Sequence, residues 1–301
     1  MIDMKIYKSG FIAIVGAPNA GKSTLLNGIL KEKISITSKK PQTTRNRILG
    51  ILNLPSSQLI FIDTPGVHKT KAILNVKMVD TALSAVKDAD IILLIADISK
   101  PDPDSEKILI NRIKKIQKPV ILVLNKIDIV KKEKILRQID KWVKLCNFKS
   151  IVPISAKKNI QIDNLISEME KLLPEGPMFF PKDAFTDMPE RFIAAEMIRE
   201  KVFRFTGDEL PYSTAVTIES FKENMKGKPI VKIDATVHVE RASQKGMIIG
   251  KNGSKLKEIG TYARKDIEKM TGTKVFLKLF VRVQKNWSKD TRALRKFGYL
   301  G

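Results

Sequence analysis

Phe11-Ile12-Ala13-Ile14-Val15-Gly16-Ala17-Pro18-Asn19-Ala20-Gly21-Lys22-Ser23-Thr24 decides the reading of the N-terminal half. The five apolar residues at its start have the composition of a strand buried on both faces. They run directly into G-x-x-x-x-G-K-[ST], and the residues after Lys22 read as a helix, the context this motif requires. A loop that wraps a phosphate must turn several backbone N–H groups inward, and glycine permits this without a Cβ clash. The helix behind the loop offers its N-terminal N–H groups and positive dipole end to the same anion. Gly16, Ala17, Pro18, Asn19, Ala20 and Gly21 are therefore expected to cradle phosphates, with Thr24 in the first turn beyond. Lys22 would neutralise β- and γ-phosphate oxygens, and Ser23 would offer its hydroxyl to Mg²⁺.

Further apolar runs follow at Gln58 to Ile62, Ile91 to Ala96, Val120 to Leu124 and Ile151 to Ile154, with helical stretches such as Ser105 to Ile116 and Lys131 to Leu145. Strand–helix alternation implies a mainly parallel sheet covered on both faces. Asn125-Lys126-Ile127-Asp128 stands at the C-terminal end of the Val120 to Leu124 strand, where ligand residues belong in an open parallel sheet. Guanine presents two donors on one edge, and a single carboxylate can accept both, so Asp128 is the expected base reader. Asn125 would buttress the loop, Lys126 would cover the base, and Ser155-Ala156-Lys157 would add a backbone N–H near the guanine oxygen.

Asp63-Thr64-Pro65-Gly66 follows the strand that ends at Ile62. Asp63 can hold a Mg²⁺-bound water, and Gly66 can give its N–H to a γ-phosphate. That glycine contact lasts only while the γ-phosphate does, which is the logic of a nucleotide switch. Thr44, with Thr43 as the alternative, would complete the Mg²⁺ shell. The catalytic set expected from the residues is Lys22, Thr44, Asp63, Gly66 and Asn19, with Ser23, Thr44 and Asp63 (through water) on the metal.

The order of these elements resembles the translation-factor-related GTPases, matched at Gly16 to Ser23, Gln42 to Asn46, Asp63 to Gly66, Asn125 to Asp128 and Ile154 to Ala156. Many GTPases carry a glutamine after the D-x-x-G glycine to orient the attacking water. Here the position is Val67, which cannot hydrogen-bond water. The resemblance implies a subgroup with a hydrophobic residue there, in some members of which an asparagine at the Asn19 position helps bind K⁺ at the transition state. Arg45, Arg47 and His68 lie near in sequence and are weaker candidates.

Beyond Pro174-Glu175-Gly176-Pro177, with Pro181 and Pro189 following, the pattern changes to α-β-β-α-α-β. Glu190 to Thr206 reads as a helix whose Phe192, Ala195, Ile198, Val202 and Phe205 pack inward. Tyr212 to Lys222 and Pro229 to Arg241 read as strands joined by a hairpin turn at Asn224 to Lys228. Lys245 to Met270 is helical around a glycine turn, and Lys274 to Val283 is a last strand. Gly250-Lys251-Asn252-Gly253 gives G-x-x-G between two helices, a loop able to approach a nucleic-acid backbone closely. Ile248, Ile249, Gly250, Lys251, Asn252, Gly253 and Lys255 are the expected RNA contacts, with Met247 beside them. Trp287, Phe297 and Tyr299 read as tail packing ahead of base stacking.

This half is similar to a type II KH domain, and the pairing of the two halves resembles the Era GTPase family over nearly the whole chain. Pro41-Gln42-Thr43-Thr44-Arg45, Asp63 to His68, Glu196 to Lys201 and Glu209-Leu210-Pro211-Tyr212-Ser213 extend the match. The expected fold is an α/β P-loop NTPase domain with a mainly parallel sheet over 1–175. A linker follows at 176–189, and an α+β type II KH domain with a basic tail fills 190–301. The resemblance implies a GTPase that binds GTP and GDP, Mg²⁺ and, in some members, K⁺. It also implies the 3′ end of 16S rRNA and the 30S subunit as partners and a role in small-subunit assembly; a monomer is expected, and the single cysteine fits a reducing cytoplasm.

Composition agrees with such partners. The 301 residues carry a formal charge of +23. Residues 241–301 hold 16 basic and 4 acidic side chains, whereas 181–240 hold 9 and 11, so the charge is concentrated rather than uniform. A single cysteine, Cys146, excludes an internal disulfide. No apolar run reaches the roughly 18 residues of a membrane span, and the N-terminus shows no secretory leader. The competing reading is a membrane-surface signalling GTPase whose basic tail docks on anionic lipid, with peripheral contact at the inner face of the plasma membrane.

Overall fold

A computed structural model of the chain describes residues 6–38, 44–67, 82, 84–206, 214–223 and 229–299. By internal contact it divides into two compact units, Met1–Ser35 with Thr44–Asp187, and Ile36–Thr43 with Met188–Gly301. Thr43, His68 and the 224–228 turn lie outside the described residues.

The first unit is built on a six-stranded sheet in the order β2-β3-β1-β4-β5-β6. Its strands are β1 (Lys8–Gly16), β2 (Ile48–Asn53), β3 (Ser57–Asp63), β4 (Ile91–Asp97), β5 (Val120–Asn125) and β6 (Ser150–Ile154). All pairings are parallel except β2 with β3. The central strands are buried along almost their whole length because helices cover both faces. These helices include α1 (Lys22–Leu30), α2 (Pro103–Ile113), α3 (Lys132–Val143) and α4 (Ile162–Leu172). Asp102 caps α2 by accepting from the Ser105 N–H at 3.1 Å. Pro153 sits in β6, an edge strand, where a missing donor costs no ladder bond.

Strand β2 was not foreseen in the sequence. Its Gly50 explains its place: a Cβ there would meet Leu26 at 2.6 Å and Leu30 at 2.7 Å, so the glycine lets α1 lie close. The outer edge of β2 is not bare. Ile51 donates to the Phe185 carbonyl at 3.0 Å, Thr186 Oγ1 to the Leu49 carbonyl at 2.7 Å, and Asn53 Nδ2 to the Lys182 carbonyl at 2.9 Å. The connector thus strands itself along an edge that would otherwise be open to pairing.

The second unit has the expected α-β-β-α-α-β order: α5 (Glu190–Phe205), β7 (Ala215–Lys222), β8 (Ile230–Val239), α6 (Ala242–Ile249), α7 (Ser254–Thr271) and β9 (Lys274–Val283). β7 pairs antiparallel with β8, and β8 parallel with β9. The buried face of α5 differs from the expected stripe. Ile193, Ala194, Met197, Ile198, Val202 and Phe203 are buried, whereas Phe192, Ala195 and Phe205 are partly exposed. The helix also buries charge. Arg199 donates to Glu196 from Nε at 2.7 Å and lies over the Phe203 ring, and Lys201 pairs with Asp266 at 2.5 Å. Past β9 the chain adds α8 (Thr291–Lys296). Trp287 is fully buried, edge-on to Phe297 and stacked on Tyr299, so these aromatics pack the tail. Among the described residues no helix is long and apolar enough to cross a membrane.

Candidate functional site

The loop between β1 and α1 is shaped by crowding. Gly21 has φ 103°, and a Cβ on it would lie 2.2 Å from Asn125 Nδ2. A Cβ on Gly16 would lie 2.5 Å from the Ile95 carbonyl oxygen, and one on Gly66 2.7 Å from Pro18 Cα. Asn19 adopts φ 62°, which asparagine tolerates better than most residues. No side chain caps α1 and no acidic residue stands in its first turn, so its N–H groups and dipole point at the loop without a competing carboxylate. Lys22 Nζ is buried and donates to the Gly16 and Ala17 carbonyls at 3.1 and 2.9 Å. Burial holds its pKa down to about 8, against the opposing pull of Asp63.

Hydroxyl and carboxylate oxygens converge beside this lysine. Ser23 Oγ lies 2.8 Å from Thr44 Oγ1 and donates to Asp63 Oδ2 at 2.7 Å. Ser35 Oγ donates to the same oxygen at 2.8 Å, and Asn27 holds Ser35 through its N–H and C=O at 3.0 and 2.6 Å. Asp63 is fully buried, and burial pushes its carboxyl up despite the hydrogen bonds from Ser23 and Ser35 and the Lys22 charge. Its Oδ1 has no hydrogen-bond partner. An orphaned buried oxygen beside two hydroxyls suits a hydrated hard cation with oxygen ligands. Ser35 was not anticipated, since a serine between two isoleucines carries no local signal.

Gly66 and Val67 close the phosphate end. Val67 N–H donates to the Gly16 carbonyl at 3.1 Å, and the Val67 side chain is fully buried in the core with Ala13, Val15 and Ile92. Thr64 Oγ1 donates to the Ile14 carbonyl at 2.7 Å. The position that often orients water thus points its side chain into the sheet's packing.

The base end is fastened to the phosphate loop by one residue. Asn125 Nδ2 donates to the Ala20 carbonyl at 2.8 Å, while Asn125 Oδ1 accepts from the N–H groups of Lys126 at 2.8 Å and Ala156 at 3.0 Å. Asp128 is exposed, and its Oδ1 accepts from Ser155 Oγ at 2.7 Å. Lys126, at φ 71°, pairs with Asp97. Burial alone would raise the Asp97 carboxyl, but hydrogen bonds from Lys126 and Ser99 and the Lys126 charge hold it below the usual carboxylate range. Asp97 is a second residue that sequence reasoning missed. Lys157 is exposed beside the same loop.

In the second unit Gly250 (φ 72°), Asn252 (φ 51°) and Gly253 (φ 74°) turn the chain from α6 into α7. A Cβ on Gly250 would lie 2.8 Å from Lys255 Cβ, whereas one on Gly253 would meet nothing within 4 Å. Lys251, Asn252 and Met247 are exposed, and Ile249 and Lys255 are partly so. Ile248, expected to face RNA, is instead fully buried: of three consecutive apolar residues on a helix, it is the one turned to the core. Beside the loop a groove of about 380 Å³ is lined by Gly253, Leu256, Gly260, Arg264, Leu277 and Leu279. Among the described residues no cluster of His, Cys, Asp and Glu has the make-up of a multi-carboxylate or zinc-type centre.

Comparison with known proteins agrees with this division. A family model described as 50S ribosome-binding GTPase matches residues 11–126, and a KH domain model matches 209–288. GTPase Era of Geotalea uraniireducens (strain Rf4) is 53% identical over 98% of this chain and 99% of its own length. The chain belongs to the Era GTPase family. GTPase Era of Geobacter metallireducens is likewise 53% identical, over 97% of this chain and 98% of its own. A crystal structure of Era in complex with MgGDPNP and nucleotides 1506–1542 of 16S ribosomal RNA superposes with a TM-score of 0.93 at 43% identity, covering 97% of this chain and 99% of that one. A variant of Aquifex aeolicus Era bound to GDP·AlF₄⁻ superposes at 0.92, also at 43% identity, over the same shares. As an Era-family protein the chain is a GTPase, with a P-loop GTPase unit and a C-terminal KH domain.

Proposed function

We propose that this GTPase binds Mg²⁺-GTP across the Gly16–Ser23 loop and the Asn125–Asp128 loop. Its KH unit would hold the 3′ region of 16S rRNA during assembly of the small ribosomal subunit in the cytoplasm. The observation that carries the reading is the Asn125 side chain, whose three hydrogen bonds join the phosphate loop to both base-end loops. Asp128 then presents a carboxylate that can accept both guanine donors. A site built around such a pair rejects an analogue lacking it by roughly 10⁴ or more.

Ser23, Thr44 and, through water, Asp63 Oδ1 would hold Mg²⁺, which when bound offsets charge on the β- and γ-phosphates. Lys22 would bring its ammonium to the same oxygens, and the Gly66 N–H would donate to the γ-phosphate. With Val67 committed to the core, no side chain from that position can orient the attacking water. Asn19 is then the residue expected to help hold K⁺, so turnover should be faster in KCl than in NaCl and fall in Asn19→Ala. Equal rates in both salts with an unchanged Asn19→Ala enzyme would overturn the K⁺ part.

The RNA part is supported by the exposed Lys251 and Asn252 at a loop whose outer side is open, beside a groove lined by Leu256, Leu277, Leu279 and Arg264. Affinity for a 16S rRNA 3′ fragment should differ among the GTP-analogue, GDP and nucleotide-free states, because a ligand shifts only states it binds unequally. Lys251→Asp with Asn252→Asp should abolish that binding. Undiminished binding by the double variant would overturn the RNA reading, and three equal wild-type affinities would overturn the coupling.

A further inference from the structure

We propose that the outer face of the β7-β8-β9 sheet is a second RNA-contact surface, on which Phe276 and Phe280 stack bases while Lys274, Lys278 and Arg282 hold the adjoining phosphates. This rests on the reading that the KH unit binds rRNA.

Successive side chains of a strand point to opposite faces. On β9, Leu277 and Leu279 line the groove beside α7, so Lys274, Phe276, Lys278, Phe280 and Arg282 stand on the other face. That face alternates cation and ring along an edge strand, and every one of the five is exposed. Phe276 is 58% and Phe280 47% exposed, with Lys278 Nζ 5.0 Å from the Phe280 ring centroid. Lys232 lies in register beside Phe276 and Asp234 beside Lys278, and a second carboxylate, Glu219 on β7, accepts from Thr217 at 2.7 Å. The chain's own tail packs on this sheet toward the C-terminal end of β8, where Phe297 lies on His238 at 4.6 Å between centroids and Thr236 and His238 are buried, while Phe276 and Phe280 stay exposed.

Two half-exposed rings held about 13 Å apart on a hydrogen-bonded sheet, with cations interleaved, make a stacking platform for single-stranded nucleic acid. A lipid surface fits less well, because the rings stand on the face of a strand within a sheet rather than on a protruding tip. Length gives a second argument. A G-x-x-G groove engages about four nucleotides. The RNA held by the related Era structure spans nucleotides 1506–1542, far more than the groove can take. Since β9 is at the rim of the sheet, a strand leaving the groove can turn over its edge onto the stripe.

The test measures affinity of the full chain for an RNA equivalent to nucleotides 1506–1542 and for an oligomer of about four nucleotides sized to the groove. Phe276→Ala with Phe280→Ala should weaken the long RNA about tenfold or more and leave the short one unchanged, whereas Phe276→Tyr with Phe280→Tyr should restore the long-RNA affinity. Lys274→Glu with Lys278→Glu should lower the salt slope for the long RNA by about one to two units, and gives a second reading if the alanine variant misfolds. Long-RNA affinity equal in wild type and both variants would overturn the second surface. So would ring-dependent capture by anionic phosphatidylserine vesicles with no ring dependence toward RNA. Failure of the wild type to bind either RNA would instead overturn the underlying reading of the KH unit.

Discussion

Two glycine loops in this molecule each lead into a helix N-terminus, and they use glycine for different reasons. In the loop before α1 the glycines answer to crowding: a Cβ on Gly16 or Gly21 would strike Ile95 or Asn125, and Gly66 lies as close to Pro18. In the loop before α7, Gly250 meets only the loop's own Lys255, at 2.8 Å, and Gly253 answers only to its φ of 74°, with open space outside. A closed cradle welded to its surroundings fits a small ligand of fixed shape. An open turn beside a groove fits a polymer that passes through and continues.

The sharpest way to break this contrast is Gly21→Ala. It adds a Cβ at 2.2 Å from a side chain that joins three loops, at a φ that L residues rarely adopt. GTP affinity measured by calorimetry should fall by about 100-fold or more, the strain alone being worth about 1–3 kcal/mol. Asn125→Ala comes next. It removes the bonds to Ala20, Lys126 and Ala156 and leaves buried partners unsatisfied, so a loss of about 2–4 kcal/mol in GTP affinity is expected. Wild-type affinity in either variant would show that the two nucleotide loops do not depend on one another.

Gly253→Ala is the counterpart. Nothing stands near the added methyl, so only the left-handed conformation opposes it, at about 1 kcal/mol. A thermal melt should shift by a few degrees and no more. A collapse as large as that expected of Gly21→Ala would erase the distinction between the loops.

The smallest effect is a proton. Burial lowers Lys22 to about pH 8, and an anion beside it would raise that value. The bound form then holds the proton more tightly than the free form. GTP binding should take up a fraction of a proton above pH 8, and affinity should fall as pH rises through that range, whereas below about pH 7 neither effect remains. Titrations at pH 8.5 in two buffers of different ionisation heat would read the uptake. Identical heats would mean Lys22 is already fully charged in the free protein.

What the sequence disclosed follows from burial. β1, β3, β4 and β5 are buried on both faces, so unbroken apolar runs marked them, and their ends positioned the motifs. β2 was hidden because Gly50 interrupts its apolar run for the sake of α1, a tertiary reason. Ser35 and Asp97 were hidden because single polar residues acquire meaning only from partners distant in the chain, Asp63 and Lys126. Ile248 and Met247 looked alike in sequence. Helix rotation alone sends one to the core and the other to solvent.

The central claim is that Asp128, held by Ser155 and by the Asn125 brace, selects the purine over a Lys22 cradle that grips the phosphates. Calorimetry of GTP and ATP with Mg²⁺ tests it directly. The account predicts tight GTP binding and ATP weaker by roughly 10⁴. ATP held as tightly as GTP, or neither nucleotide held, would contradict it.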